Sequence, residues 1–162
     1  MNENEEDKLN CSKCNTVVKD EDNFCTNCGA VFKDGVACSV HNSSEADGFC
    51  VMCLKPFCIE CGMLVNKIFF CDLHSQYESY EGMARVFGCT DNLQAQHITS
   101  CLEQAGLHPF LYSRRFNPGA AISPIIFYRV YGNHPIVELK VLVPFREVLK
   151  AEEILKELES AS

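Results

Sequence analysis

The sequence has no excess of positive charge: 14 lysines and arginines face 22 aspartates and glutamates, for a formal net charge of −8. A field of that sign repels phosphate backbones, so nucleic-acid binding through basic patches is disfavoured. There is also no apolar run of the ~18 or more residues that a membrane span needs. The longest candidate, Ile122 to Val130, is interrupted by Pro124 and Arg129. The opening stretch, Met-Asn-Glu-Asn-Glu-Glu-Asp-Lys, lacks both the basic region and the apolar run of a signal peptide. A Gly-rich phosphate loop is missing, which argues against a nucleotide-dependent enzyme. No nucleophile stands out with a base and an orienting third group, so no catalytic residue is expected.

What the chain does have is cysteine, 12 in 162 residues, ten of them before residue 72. Most come in local pairs with two residues between them, and two of the pairs end in histidine. Disulfide frameworks tie distant segments of secreted proteins, whereas x2 pairs mixed with histidine suit metal in a reducing cytosol. Each pair lets one tight turn aim two side chains at one ion, and two pairs complete a tetrahedral zinc site. Iron or an iron–sulfur cluster in a four-cysteine site is the minority alternative, since thiolates do not identify their metal.

The first such set is Cys11, Cys14, Cys25 and Cys28, with Asn15 and Gly29 just behind the two knuckles, where a positive φ is expected. Phe24, Val17, Val18, Val31 and Phe32 are candidates for a small apolar cover. The segment 11–34 resembles a short zinc ribbon. Ribbons bind nucleic acid in some proteins and protein in others, so the likeness implies metal but no particular partner. The balance of Lys13, Lys19 and Lys33 against Asp20, Glu21, Asp22 and Asp34, with no aromatic stacking platform, favours a structural or protein-contact role.

After a hinge at Lys33-Asp34-Gly35, four more pairs follow: Cys38/His41, Cys50/Cys53, Cys58/Cys61 and Cys71/His74. Eight ligands mean two zinc ions, for three in all. Only four residues separate the second pair from the third, which favours interleaving: Cys38, His41, Cys58 and Cys61 on one ion, Cys50, Cys53, Cys71 and His74 on the other. Sequential pairing stays open on spacing alone. The pattern over residues 36–75, with Pro56-Phe57 before the third pair, resembles the B-box-type zinc finger of bacterial proteins. That likeness implies a cross-braced, structural, protein-binding module.

The expected organisation is a disordered acidic tail (1–10), the ribbon (11–34), the double-zinc module (36–75), a polar linker (76–83) and a third domain (84–160). In the third domain, Ala84 to Cys89 reads as a strand and Thr90-Asp91-Asn92 as a helix start. Ala95, Ile98, Cys101, Leu102 and Ala105 lie on one helical arc, and Gly106-Leu107 forms the stop. A strand is expected at Pro109 to Tyr112 and another at Ile125 to Tyr131, followed by a turn at Gly132 to Pro135. Val137, Leu139, Val141 and Val143 then alternate along a half-buried strand ended by Pro144. A last helix carries Val148, Ala151, Ile154, Leu155 and Leu158 as its apolar stripe. Its glutamates, Glu152, Glu153, Glu157 and Glu159, read as a solvated face.

This stretch resembles a bacterial family of signal-transducing proteins related to PII-like, ferredoxin-like domains. The likeness is carried by Arg85-Val86-Phe87, Asn92 to Ala95, Ala105-Gly106-Leu107, Val141 to Pro144 and Ala151 to Leu155. It implies an α+β chain: two small zinc-stabilised modules followed by a ferredoxin-like α/β sandwich. Cys89 and Cys101, with His97 one turn from Cys101, form a conceivable further metal or thiol site. A small-hydrophobe role for Cys101 is the stronger expectation. Arg114, Arg115 and Arg129 are a weaker candidate for an anion patch.

The function expected is that of a non-catalytic cytosolic adaptor with three structural zinc ions, binding a protein partner or self-associating. The alternatives are a sensor whose zinc thiolates respond to oxidant or metal and, behind it, a nucleic-acid-binding ribbon protein.

Overall fold

A computed structural model describes residues 9–113 and 138–160. The chain divides into two compact units, Met1–Glu78 and Ser79–Ser162. The sequence readings for residues 1–8, for the strand and turn between 125 and 135, and for Arg114, Arg115 and Arg129 lie outside the described residues.

The first unit has almost no regular structure. Its strands form three small antiparallel hairpins: β1 (Leu9–Asn10) with β2 (Val17–Val18), β3 (Gly48–Phe49) with β4 (Pro56–Phe57), and β5 (Gly62–Val65) with β6 (Ile68–Cys71). Two- and four-residue strands are not stable on their own in water. What they share is a thin core in which ligand cysteines alternate with Phe49, Val51, Met52, Phe57, Phe69 and Phe70. The Phe69 ring lies flat against the backbone at Gly48 and Gly62, where a Cβ would come within 2.3 and 2.7 Å of it. Asn66 and Lys67, both at positive φ (51° and 68°), make the two-residue turn between β5 and β6.

The ribbon and the double-zinc module are not hinged neighbours. Phe49 N–H donates to the Gly29 carbonyl (2.8 Å) and Phe69 N–H to the Cys28 carbonyl (2.9 Å). The Phe24 and Phe49 rings stack at 4.0 Å and 5°. Residues 33–35 are therefore a covalent link between parts that already hold each other. The expected ribbon cover is also redistributed. Val18 and Ala30 pack on the cysteines, Phe24 is used on Phe49, and Val17 and Phe32 stay exposed.

In the second unit a four-stranded sheet runs β7 (Ser79–Tyr80), β8 (Met83–Cys89), β10 (Leu139–Pro144), β9 (Phe110–Ser113), with every neighbouring pair antiparallel. Because β10 opposes both β8 and β9, those two are parallel to each other, joined by α1 (Asn92–Gln104) and split by β10. The stretch 76–83 read as a linker thus contains β7 and the start of β8. A bulge on β8 leaves Val86 without a partner between the Arg85–Leu142 and Phe87–Val141 pairs.

The Asp91 carboxylate caps α1 by accepting from Leu93 N–H at 2.9 Å. Gly106 (φ 78°) closes the helix, its N–H donating to the Glu103 carbonyl and the Leu107 N–H to the Leu102 carbonyl, the two hydrogen bonds that the glycine stop predicts. A single 3-10 turn (Phe145–Glu147) leads into α2 (Val148–Ser160). Val148, Ala151 and Leu155 of α2, with Ala95, Ile98 and Leu102 of α1, pack on Leu139, Val141 and Val143. Leu142, on the Lys140 side of β10, is buried as well, so this central strand is apolar on more than the expected face. Lys150 Nζ donates to the Ala105 carbonyl at 3.1 Å, and Glu147 accepts from His108 N–H at 2.7 Å, pinning the end of α1 to the start of α2.

Candidate metal centres

Three of the six ligand turns, all of them Cys/Cys pairs, share one backbone plan. In each, the residue after the second cysteine has positive φ: Asn15 (59°), Gly29 (81°) and Leu54 (57°). Its N–H donates to the first cysteine's carbonyl, at 2.8 Å in all three. The first cysteine's N–H in turn donates one residue further on, to Thr16, Ala30 or Lys55. The turn is thus closed on both sides, and its two sulfurs point to one spot. Asn15 and Gly29 suit a left-handed residue; Leu54 does not, because a side chain there costs about 1–2 kcal/mol. Leu54→Asn is therefore expected to raise the melting temperature of the zinc-loaded first unit, with a gain of up to about 1 kcal/mol in a denaturant titration. The side chain is exposed, so no packing is lost.

The remaining turns differ. Cys71 accepts from both His74 and Ser75 N–H (2.9 Å each), a single helical turn that brings the imidazole beside the thiol. Cys38 Sγ accepts from Val40 N–H at 3.4 Å, and Cys61 N–H donates to the Cys58 carbonyl at 3.0 Å.

These turns gather the twelve predicted ligands into three groups, each with its four ligand atoms within 4.8 Å of one another. They are Cys11, Cys14, Cys25 and Cys28; Cys38, His41, Cys58 and Cys61; and Cys50, Cys53, Cys71 and His74. The last two groups are interleaved. The four-residue link Leu54 to Phe57 carries the chain from one to the other, and β4 is held there by Ser39 N–H on Pro56 and Asp47 N–H on Phe57 (2.9 Å each).

The donor geometry fits zinc. In the ribbon, Cys11 and Cys28 sulfurs are 3.7 Å apart, and Cys14 and Cys25 are 3.5 Å apart. A tetrahedron with Zn–S near 2.3 Å has edges of ~3.8 Å, whereas a disulfide would need ~2.05 Å. His41 Nδ1 lies 3.3 and 3.4 Å from the Cys58 and Cys61 sulfurs. His74 Nδ1 lies 3.3 and 3.2 Å from those of Cys50 and Cys71. Both imidazoles thus turn Nδ1 to the site, which leaves Nε2 to carry the proton. Three tetrahedral Cys/His sites are compatible with three zinc ions, each with four protein ligands. Such closed sites hold structure and leave no position for a water or substrate.

Crowded thiols cannot all ionise without a metal. In the ribbon, burial works against ionisation of Cys14, yet hydrogen bonds with Thr16 and Asn27 bring it down to about 6. Cys28 is pushed up by burial and by the sulfurs around it. Cys50, hydrogen-bonded to the Cys53 side chain, falls to about 4, while the same hydrogen bond drives Cys53 up. Cys61 is pushed up to about 12 by desolvation and by Cys58 and Cys38. Zinc needs every one of these thiols deprotonated, so protons compete with metal for the raised ones. Relative to an unfolded thiol near 8.5, the metal-bound thiolates behave as strongly lowered acids. Their contribution is complete above about pH 8.5 and declines as the pH falls. Zinc release to a chromogenic chelator should accordingly be faster at pH 5 than at pH 7, and the first unit should melt earlier.

Outside these sites, the structure changes the expectation for Cys101. It lies half-buried beside exposed His97, with Sγ and Nε2 3.7 Å apart, not inside the apolar arc. Cys89 does not join them; its thiol donates to the Asp91 carbonyl at 3.2 Å. The twelve residues that sequence spacing singled out are the ones gathered into the three groups. Spacing did not find the left-handed Leu54 or the contact of Phe24, Gly29 and Cys28 with Phe49 and Phe69.

A family model for a zinc-ribbon domain matches residues 7–32. No curated protein and no solved structure matches the chain. No helix among the described residues is long and apolar enough to cross a membrane.

Proposed function

We propose that the protein is a non-catalytic cytosolic adaptor whose zinc-built first unit presents a protein-binding surface, joined to a small signal-transducing domain. The observation that carries this reading is where the apolar side chains stand. Val40, Ile59 and Leu73 each lie inside a ligand pair of the double-zinc module, between its two ligands, and are 60, 62 and 81 % exposed. Metal ligands on either side fix their backbone, so little entropy is lost when a partner covers them. Closed four-ligand sites agree with a scaffold rather than a catalyst.

The interleaved double site supports the likeness to B-box-type fingers. The split β-α-β sheet of the second unit supports the likeness to ferredoxin-like, PII-related domains, with β7 beside β8 at the edge where a closing strand would stand. A photo-crosslinker placed at Ile59 in living cells should give a discrete protein adduct. Val40→Asp and Leu73→Asp should abolish it while the purified variants keep three zinc ions. No adduct, or an adduct indifferent to both substitutions, would overturn the reading.

A second reading rests on Cys14, Cys53 and Cys61, ligand sulfurs that are only half-buried. Accessible zinc thiolates can be oxidised, releasing metal. Stoichiometric zinc loss at mild peroxide, reversed by a thiol reductant, would favour a sensor; inert sites would exclude it.

A further inference from the structure

Helix α1 has a surface unlike that of α2. In a protein of net charge −8, its thirteen residues include a single charged side chain, Glu103, whereas α2 carries six in the same length. Gln94, Gln96, Ser100 and Gln104 are exposed and uncharged, and Leu93 is 76 % exposed. Leu93, His97 and Cys101 follow one another at four-residue intervals, so they form one stripe along the helix. On that stripe His97 Nε2 and Cys101 Sγ are 3.7 Å apart, close to the edge of a tetrahedral metal site. No third ligand joins them among the described residues.

We propose that His97 and Cys101 are half of a fourth metal site, completed by the same pair from a second copy of the chain. One zinc ion then bridges two α1 helices through two thiolates and two imidazoles. Each half supplies a soft thiolate and a borderline imidazole, the donor set zinc takes in Cys2His2 sites. Two ligands from one chain would leave two positions to water; a second copy fills them with better donors. The same approach covers Leu93. Depletion of charge is what distinguishes the buried part of an interface, and between two acidic chains an uncharged strip is where close approach costs least.

Native mass spectrometry of the three-zinc protein, titrated with zinc chloride, tests this. The expected product is a dimer with seven zinc ions, dissociated again by a chelator too weak to strip the closed sites. His97→Gln and Cys101→Ser, both on exposed or half-exposed positions, should each keep three zinc ions per chain and remain monomeric. A monomer with a fourth zinc, a zinc-saturated protein that stays at three, or a dimer that persists in Cys101→Ser would each overturn the proposal.

Discussion

Removing zinc with a high-affinity chelator under reducing conditions unfolds the first unit and leaves the second folded. In hydrogen exchange, amides such as those of Cys25, Phe49 and Phe69 lose protection, while those of Ala84, Leu102 and Val141 keep theirs. The magnitude follows from the architecture. The first unit has hairpins of two to four residues and a core made in large part of its ligands, so it has too little apolar surface to fold unaided. Structural zinc supplies about 10–16 kcal/mol per site in peptide models, against a net stability of about 5–15 kcal/mol for a typical domain. Without its three ions, the unit has nothing to offset its chain entropy. The second unit has no such debt: its core of Ala84, Ile98, Leu102, Val141, Val143, Val148 and Leu155 contains no metal ligand. First-unit amides that stay protected after complete zinc removal would contradict this division.

Gly29→Ala is expected to be the most damaging change that touches no ligand. Two separate costs fall on it. At φ 81° any Cβ is strained, by about 1–2 kcal/mol. The new methyl would also sit 2.1 Å from the Phe49 carbonyl oxygen and 2.9 Å from the Phe69 Cβ, so the ribbon must lift away from β3 and β6. That adds an overpacking cost of about 1–3 kcal/mol. The combined loss of about 2–5 kcal/mol should appear in denaturant unfolding of the zinc-loaded protein, together with faster zinc release from the ribbon, because Cys28 adjoins the lifted backbone. Gly35→Ala is the control. It shares the positive φ (76°) but has nothing within 4 Å of its Cβ, so it should lose only the backbone part. Equal losses for the two variants would mean that the contact between ribbon and double-zinc module contributes nothing.

The zinc sites were legible because their chemistry is local. A Cys-x2-Cys turn declares itself in four residues, and the short link Leu54 to Phe57 pointed to the interleaving that β4 performs. The ends of α1 were equally legible, since Asp91 and the Gly106-Leu107 pair act within one turn of the helix. Contacts between distant segments were not. Nothing in Phe24 or Phe49 separately announces that their rings stack, and Gly29 reads as a turn residue until Phe49 is placed against it. Hence the ribbon looked independent, and Lys33 to Gly35 looked like a hinge. Cys101 was misplaced for a different reason. Periodicity put it on the apolar arc, but α1 is rotated so that Ala95, Ile98 and Leu102 face the sheet and Cys101 sits at the margin beside His97. The order β7, β8, β10, β9 depends on β10 pairing with β8 across 50 to 61 residues and with β9 across 26 to 32, which no local pattern encodes.

The account's central claim is that the first unit is one body built around three zinc ions. Native mass spectrometry of protein purified without chelator or oxidant tests it most directly, when combined with thiol alkylation after unfolding in the presence of a chelator. The predicted result is three zinc ions per chain, with all twelve cysteines alkylated once the metal is removed. Fewer than three zinc ions, with disulfides linking the missing ligands, would contradict it.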